Sequence, residues 1–209
     1  MQTKIRGIRG GGSGEEVDVK SDRAGGLHVV QSLSPGVIIT ALGGGYQAMT
    51  TTAGAALVVR PTTVPLATLG NGEAGGGKSL VIERAFVHCL VSCAAEARFA
   101  IWLCVHPVGV VAVADTITTK NSTRGIASYG GNANLALATG VIDDGWFPWS
   151  ESKDYEPTGV LPGAVAIAEV NGRIVIPPTA SISIAVVASV IGSTFVSGFH
   201  WNEVQLDLA

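Results

Sequence analysis

The last thirty residues constrain the chain more than any other stretch, because there the sequence specifies partners as well as periodicity. Ile182, Ile184, Val186, Ala188 and Val190 are apolar at every second position, the period of a half-buried strand. Gly192-Ser193 reads as a two-residue turn opening on glycine, so Ile191 pairs with Thr194 and the register behind them follows. Val190 then falls opposite Phe195, Val186 opposite Phe199 and Ile184 opposite Trp201, all on one face of a hairpin. A one-residue slip would strip that face of its aromatics. The second face carries Ser183, Ala185, Val187 and Ser189 with Val196, Gly198 and His200. A face built for water usually carries more charge. This one is therefore expected to pack against another chain, or beneath a loop such as 139–159.

Charge scarcity extends to the whole chain. Asp, Glu, Lys and Arg make up 14% of the 209 residues, against about 25% in an ordinary soluble domain. Amphipathic helices need such residues on their wet face, whereas strands and turns manage with Ser, Thr, Asn and the 28 glycines present here. The expectation is an all-β chain. A mean hydropathy of +0.41 also implies exposed apolar patches, the usual mark of subunit contacts. The net charge of −3 argues against a nucleic-acid partner, whose phosphates need basic residues. The run 99–114 is interrupted by His106 and Pro107 and is shorter than the roughly 18 to 20 residues of a membrane span. No apolar segment near the N-terminus resembles a signal peptide, so cytoplasmic synthesis is expected.

Along the chain, residues 1–14 hold Lys4, Arg6, Arg9 and a glycine run and read as a flexible arm ahead of a single domain, 15–209. Val17 to Val19 is a short strand candidate and 27–31 a second. Val37 to Leu42 follows the turn signal Ser34-Pro35-Gly36 as another, ended by Gly43-Gly44-Gly45. Segments 55–60 and 64–69 are strands separated by Pro61. Segments 80–92 and 98–106 read as a hairpin, with a buried helix over 81–99 as the alternative. Segment 108–114 is a further strand, and 125–129 and 134–138 are weaker ones. Residues 139–159 show neither period and read as a long loop. Asn171-Gly172, between 165–170 and 173–177, is the strongest hairpin signal in the chain. Eight to twelve short strands without helices between them make a two-sheet antiparallel sandwich, jelly-roll-like, the preferred architecture.

The glycine-rich arm, the Val17-to-Val19 strand, the Ser-, Thr- and Gly-heavy strands and the C-terminal hairpin together resemble the single-jelly-roll or β-sandwich structural proteins of virions, notably capsid accessory and decoration proteins of tailed bacteriophages. That resemblance implies a non-enzymatic homo-oligomer, a trimer or larger ring, bound to other virion proteins. The host cytoplasm would be its place of synthesis and the virion its destination.

Three constellations offer other chemistry. Gly72-Glu73-Ala74-Gly75-Gly76-Gly77-Lys78-Ser79 satisfies G-x-x-x-x-G-K-[ST], in which backbone amides would cradle phosphates, Lys78 reach the terminal ones and Ser79 ligate magnesium, with Asp115, after the apolar 110–114, as the acid that helps hold the metal. The motif must open a helix, yet Leu80-Val81-Ile82 that follow are strand-like. A hairpin loop is preferred, and the P-loop enzyme is kept as an alternative. His88, Cys89, Cys93, Cys104 and His106 are within the loose spacing of a zinc site, but buried reduced thiols are the simpler reading. No cofactor or metal is expected. The loop around Trp146, Phe147, Trp149 and Tyr155, with Asp143, Asp144 and Asp154, is read first as a subunit interface, next as core anchoring, and third as a sugar-stacking platform, the carbohydrate-binding alternative. Calcium would need a spacing that these acids lack. With Ser183, Val187, Ser189, Val196 and His200 from the hairpin, these four aromatics make up the expected interface.

Overall fold

The computed structural model describes residues 6–8, 16–18, 35–62, 65–91, 97–108, 120–121, 132–137, 145–155 and 163–206. The chain divides into two compact units, Met1–Val37 and Ile38–Ala209. In the first, β1 (Arg6–Ile8) pairs antiparallel with β2 (Glu16–Asp18), so part of the expected arm is strand. A short helix, α1 (Pro35–Ala41), spans the boundary. It occupies the segment 37–42 that the flanking turn and glycine signals mark as a strand. Backbone bonds from Gly43 N to Thr40 O and from Gly44 N to Ile39 O close its end, with Gly43 at φ 87°, a helix-terminating geometry that glycine favours.

The remaining strands are β3 (Gly45–Met49), β4 (Gly54–Ala55), β5 (Ala67–Asn71), β6 (Ser79–Val91), β7 (Ala97–His106), β8 (Lys120–Asn121), β9 (Ala133–Leu137), β10 (Phe147–Pro148), β11 (Lys153–Tyr155), β12 (Val165–Ile176), β13 (Ser181–Ala188) and β14 (Thr194–Val204). They form two antiparallel sheets. One runs β12-β6-β14-β3-β8, with β4 also on β14; the other runs β10-β7-β13-β5-β9, with β11 also on β7. Counting β3, β5, β6, β7, β10 with β11, β12, β13 and β14 as strands one to eight, the sheets order as 1-8-3-6 and 2-7-4-5. That is the double Greek key of a jelly roll. The fold is thus an all-β two-sheet sandwich, as composition implies.

Its core lies between the sheets. Ile182, Ile184 and Val186 of β13 and Phe99, Ile101 and Leu103 of β7 meet Ile82 and Val87 of β6 and Phe195, Phe199 and Trp201 of β14, all at most 2% exposed. Phe99 and Phe195 touch across the sandwich with ring centroids 4.9 Å apart. Each such side chain contributes roughly 1.5 to 3 kcal/mol on burial.

The closing hairpin is not a hairpin. β13 pairs with β7 and β5, whereas β14 pairs with β6 and β3, so residues 189–193 cross from one sheet to the other. The aromatics are buried as alternation requires, but their partners lie across the core and not beside them. The same correction applies to 80–92 and 98–106, which become β6 and β7 in opposite sheets. The Asn171-Gly172 hairpin is also absent. Both sides of it pair with β6 in one direction, Val165 to Glu169 against His88 to Arg84 and Ile174 to Ile176 against Ile82 to Leu80. Asn171 and Gly172 do adopt the positive φ of the expected turn, 51° and 73°, but they form a bulge within one long strand. Val170 and Ile174, four residues apart, both stay buried, so the bulge preserves which face looks inward.

The supposed loop 139–159 supplies β10 and β11, the edge strands of one sheet. Of 55–60 only Ala55, in β4, and a bridge at Leu57 to Val187 are β structure, and the strand expected over 64–69 lies at Ala67–Asn71. β9 stands close to the expected 134–138. The candidates at 27–31 and 125–129, and most of 108–114, lie outside the described residues.

Candidate interaction surface and buried polar sites

The outer face of the β10-β7-β13-β5-β9 sheet carries a buried polar chain. Ser183 Oγ stands 2.8 Å from both Thr68 Oγ1 and His106 Nε2, and His106 Nδ1 lies 3.8 Å from Cys104 Sγ. Thr68, Ser183 and His106 are fully buried and Cys104 nearly so. A serine hydroxyl at hydrogen-bond distance from a histidine is the first element of a nucleophile and base pair. Here, however, neither side chain can be reached by a substrate, and the hydroxyl is also bonded to Thr68. What the chain does is tie β5, β13 and β7 in register through polar groups that would be costly to leave unmade. Beside it Trp146 packs against Cys104 and Ala185, with Trp102 at its flank. Trp146 comes from segment 139–159, so at Ala185 the weakly polar second face lies beneath that segment.

The nine residues expected at an interface do not converge. Trp146, only 1% exposed, and Ser183 lie under the outer face just described. Trp149 is half-buried against the main core, its amide bonded to Ile101 O at 2.9 Å. Tyr155 pairs with Ala97 through the backbone, and its side chain lies outside the described residues. Val187 is half-buried beside Leu57, and Ser189 is exposed, its hydroxyl accepting the Arg98 amide. Val196 and His200 sit on the opposite sheet. Among the described aromatic side chains of this set, only Phe147 is open, at 66% exposure.

That exposure follows from position. Ile184, Leu103 and Phe147 form one rung across β13, β7 and β10, and their exposure runs 0%, 2% and 66%. The rung leaves the core at the sheet's lateral edge. In the facing sheet the same border is formed by β12, which packs across from β7. β12 turns Val165 and Ile167 outward, 47% and 46% exposed. Sequence periodicity identifies such residues as the outer face of a strand, but nothing local says that the strand is an edge.

On the outer face of the sheet containing β12, Arg84 Nε pairs with Glu169 Oε2 at 2.9 Å. Phe86 stands edge-on to His200, centroids 5.3 Å apart, and lies over Gly198, where a Cβ would fall 2.5 Å from its ring. Burial, with Arg84 nearby, lowers the His200 pKa, while Glu169 opposes the shift. This histidine is held toward its neutral form.

The glycine-rich motif does not open a helix. Gly72 to Lys78 link β5 to β6, and Ser79 begins the strand. Lys78 Nζ is directed at Glu203 Oε2, 3.7 Å away, where a bound phosphate would meet negative charge. The loop is closed at its neck by Asn71 Nδ2 donating to Lys78 O, and at its tip by Gln205 Nε2 donating to Gly76 O. Asp115 lies outside the described residues. Glu203 has a side chain 2% exposed, and burial pushes its carboxyl from 4.5 up to about 7, with Glu73 adding to the rise and Lys78 opposing it.

The zinc reading loses its geometry. Cys89 faces the core from β6 while Cys104 belongs to the outer face of the other sheet, and no cluster of three or more potential ligands occurs among the described residues. The acids proposed for calcium, at 143, 144 and 154, have side chains outside the described residues. An apolar cleft of about 370 Å³ opens between Thr52, Gly54, Pro65, Leu66, Leu137 and Val186. Among the described residues, no helix is long and apolar enough to cross a membrane. Comparison with protein-family models, with curated proteins and with solved structures returns no match.

Proposed function

We propose that the protein is a non-enzymatic structural subunit that assembles with copies of itself, as a capsid decoration or accessory protein of a bacteriophage particle does. The observation that carries this reading is the exposure of large apolar side chains on a sandwich with little charge. Phe147, Ile191 and Val59 are each at least 66% exposed, on a chain with 14% charged residues, and Val165 and Ile167 stand side by side on the outer face of β12, 47% and 46% exposed, a grouping of the kind that marks a contact surface. The jelly-roll order adds support by analogy, since capsid domains are among the many proteins that use it. Lectin domains use it too, but of Trp146, Trp149 and Tyr155, on which the sugar-stacking alternative relied, Trp146 is buried and Trp149 half-buried. The P-loop alternative relied on a helix after Ser79, where β6 begins.

The mass of the purified protein in solution tests the proposal. At micromolar concentration the expected species is an oligomer. A strict monomer over that range would overturn the reading.

A further inference from the structure

Among the described residues, the border strand β12 offers the most specific surface. Ala164 O accepts the Cys89 amide at 3.0 Å, and Ala166 and Ala168 stand opposite Val87 and Ala85. In an antiparallel ladder, backbone groups alternate between the two sides of a strand. The even-numbered residues therefore spend theirs on β6, and Val165, Ile167 and Glu169 direct their N–H and C=O groups away from the sheet. Among the described residues no strand takes them up. Edge strands are normally blunted by lysine, proline or an inward charge. The sequence Gly163-Ala164-Val165-Ala166-Ile167-Ala168 contains none of these.

Taking the assembly reading as its premise, we infer that β12 pairs antiparallel with β12 of a second copy about a two-fold axis through Ala166. In that register Val165 lies opposite Ile167 of the second copy, and Ile167 opposite Val165, so the half-exposed apolar side chains meet one another on the outer face. Only the small Ala164, Ala166 and Ala168 occupy the inner face, and Glu169, already held by Arg84 at 2.9 Å, falls opposite a glycine. Shifting the axis to Ile167 would place the Glu169 carboxylate against Val165, which burial disfavours. The strip is thus complementary to itself, apolar to apolar and without opposed like charges, which selects a second copy of this chain as the occupant. Joining the two strands makes the sheet that contains β12 continuous across the contact.

Sedimentation equilibrium on the full chain tests this contact separately from assembly in general. The wild type is expected as an even-numbered species. Ile167→Lys introduces a charge at the joint, and Ile167→Pro deletes an outward N–H that β6 does not use, a position where an edge strand tolerates proline. Each is expected to weaken association on the order of 100-fold with an unchanged circular dichroism spectrum, while Val58→Lys, elsewhere on the exposed surface, leaves it alone. In the unmodified protein, the Val165 and Ile167 amides should exchange slowly when concentrated and rapidly on dilution. A monomeric wild type overturns both the contact and the assembly reading. An oligomer that is a closed trimer, or that ignores both Ile167 substitutions, or whose two amides exchange rapidly even when concentrated, overturns the contact alone.

Discussion

Glu203 follows Trp201 by two residues on β14 and so points toward the end of the core, where its carboxylate oxygens find no hydrogen-bond partner among the described residues. Burial raises its pKa from 4.5 to about 7. Between those values the folded chain holds a proton that the unfolded chain has lost. Its contribution to stability is therefore full below about pH 4.5 and is lost as the pH rises through about 7. Glu203→Gln removes the ionisation. Because Lys78 beside it is half exposed and water screens the pair, the gain over wild type at pH 8 is set at about 2 kcal/mol, less than the full shift would give. The gain should shrink toward pH 5, and urea unfolding at the two pH values measures it. An equal effect at both would mean that the carboxyl titrates normally.

At the scale of elements, two strands with matching apolar faces can lie side by side in one sheet or face each other across a core. Alternation along Ile182, Ile184 and Val186 and along Phe195, Phe199 and Trp201 is the same in either case, and so it identifies the buried side chains without identifying their partners. The bulge in β12 is a related lesson. Asn171-Gly172 carries the φ signature of a hairpin turn, but β6 extends past it on both sides and keeps the chain going straight. Because Gly172 sits at φ 73°, Gly172→Ala should cost about 1 kcal/mol by the strain of a left-handed alanine, readable as a lower midpoint in chemical denaturation. If the bulge were freely adaptable, the midpoint would not move.

For the molecule as a whole, scarcity of charge and exposure of Phe147, Val165 and Ile167 would make the proposed association an apolar matter. Raising sodium chloride from about 0.1 to 1 M should therefore change the dissociation constant of the assembly by less than about threefold, since screening acts only on charges. Sedimentation at the two salt concentrations would show it. A steep salt dependence would instead indicate contacts through groups such as Arg84 and Glu169. The polar chain of Thr68, Ser183 and His106 was not legible in the sequence as a site. Its members are separated by up to 115 positions, and only the pairing of β5, β13 and β7 brings them together.

By itself the sequence determined the all-β class, the inward face of β13 and β14 and the backbone bends at Asn171 and Gly172, because charge content, period and φ preference are local properties. The tertiary structure decided which strands pair, that β13 and β14 stack instead of forming a hairpin, and that β12 and β10 share a border. Those choices depend on competition among distant strands for the same backbone hydrogen bonds. The C-terminal thirty residues contain the side chains that fill the core, but β6 and β7, a hundred residues earlier, provide the ladders that hold them.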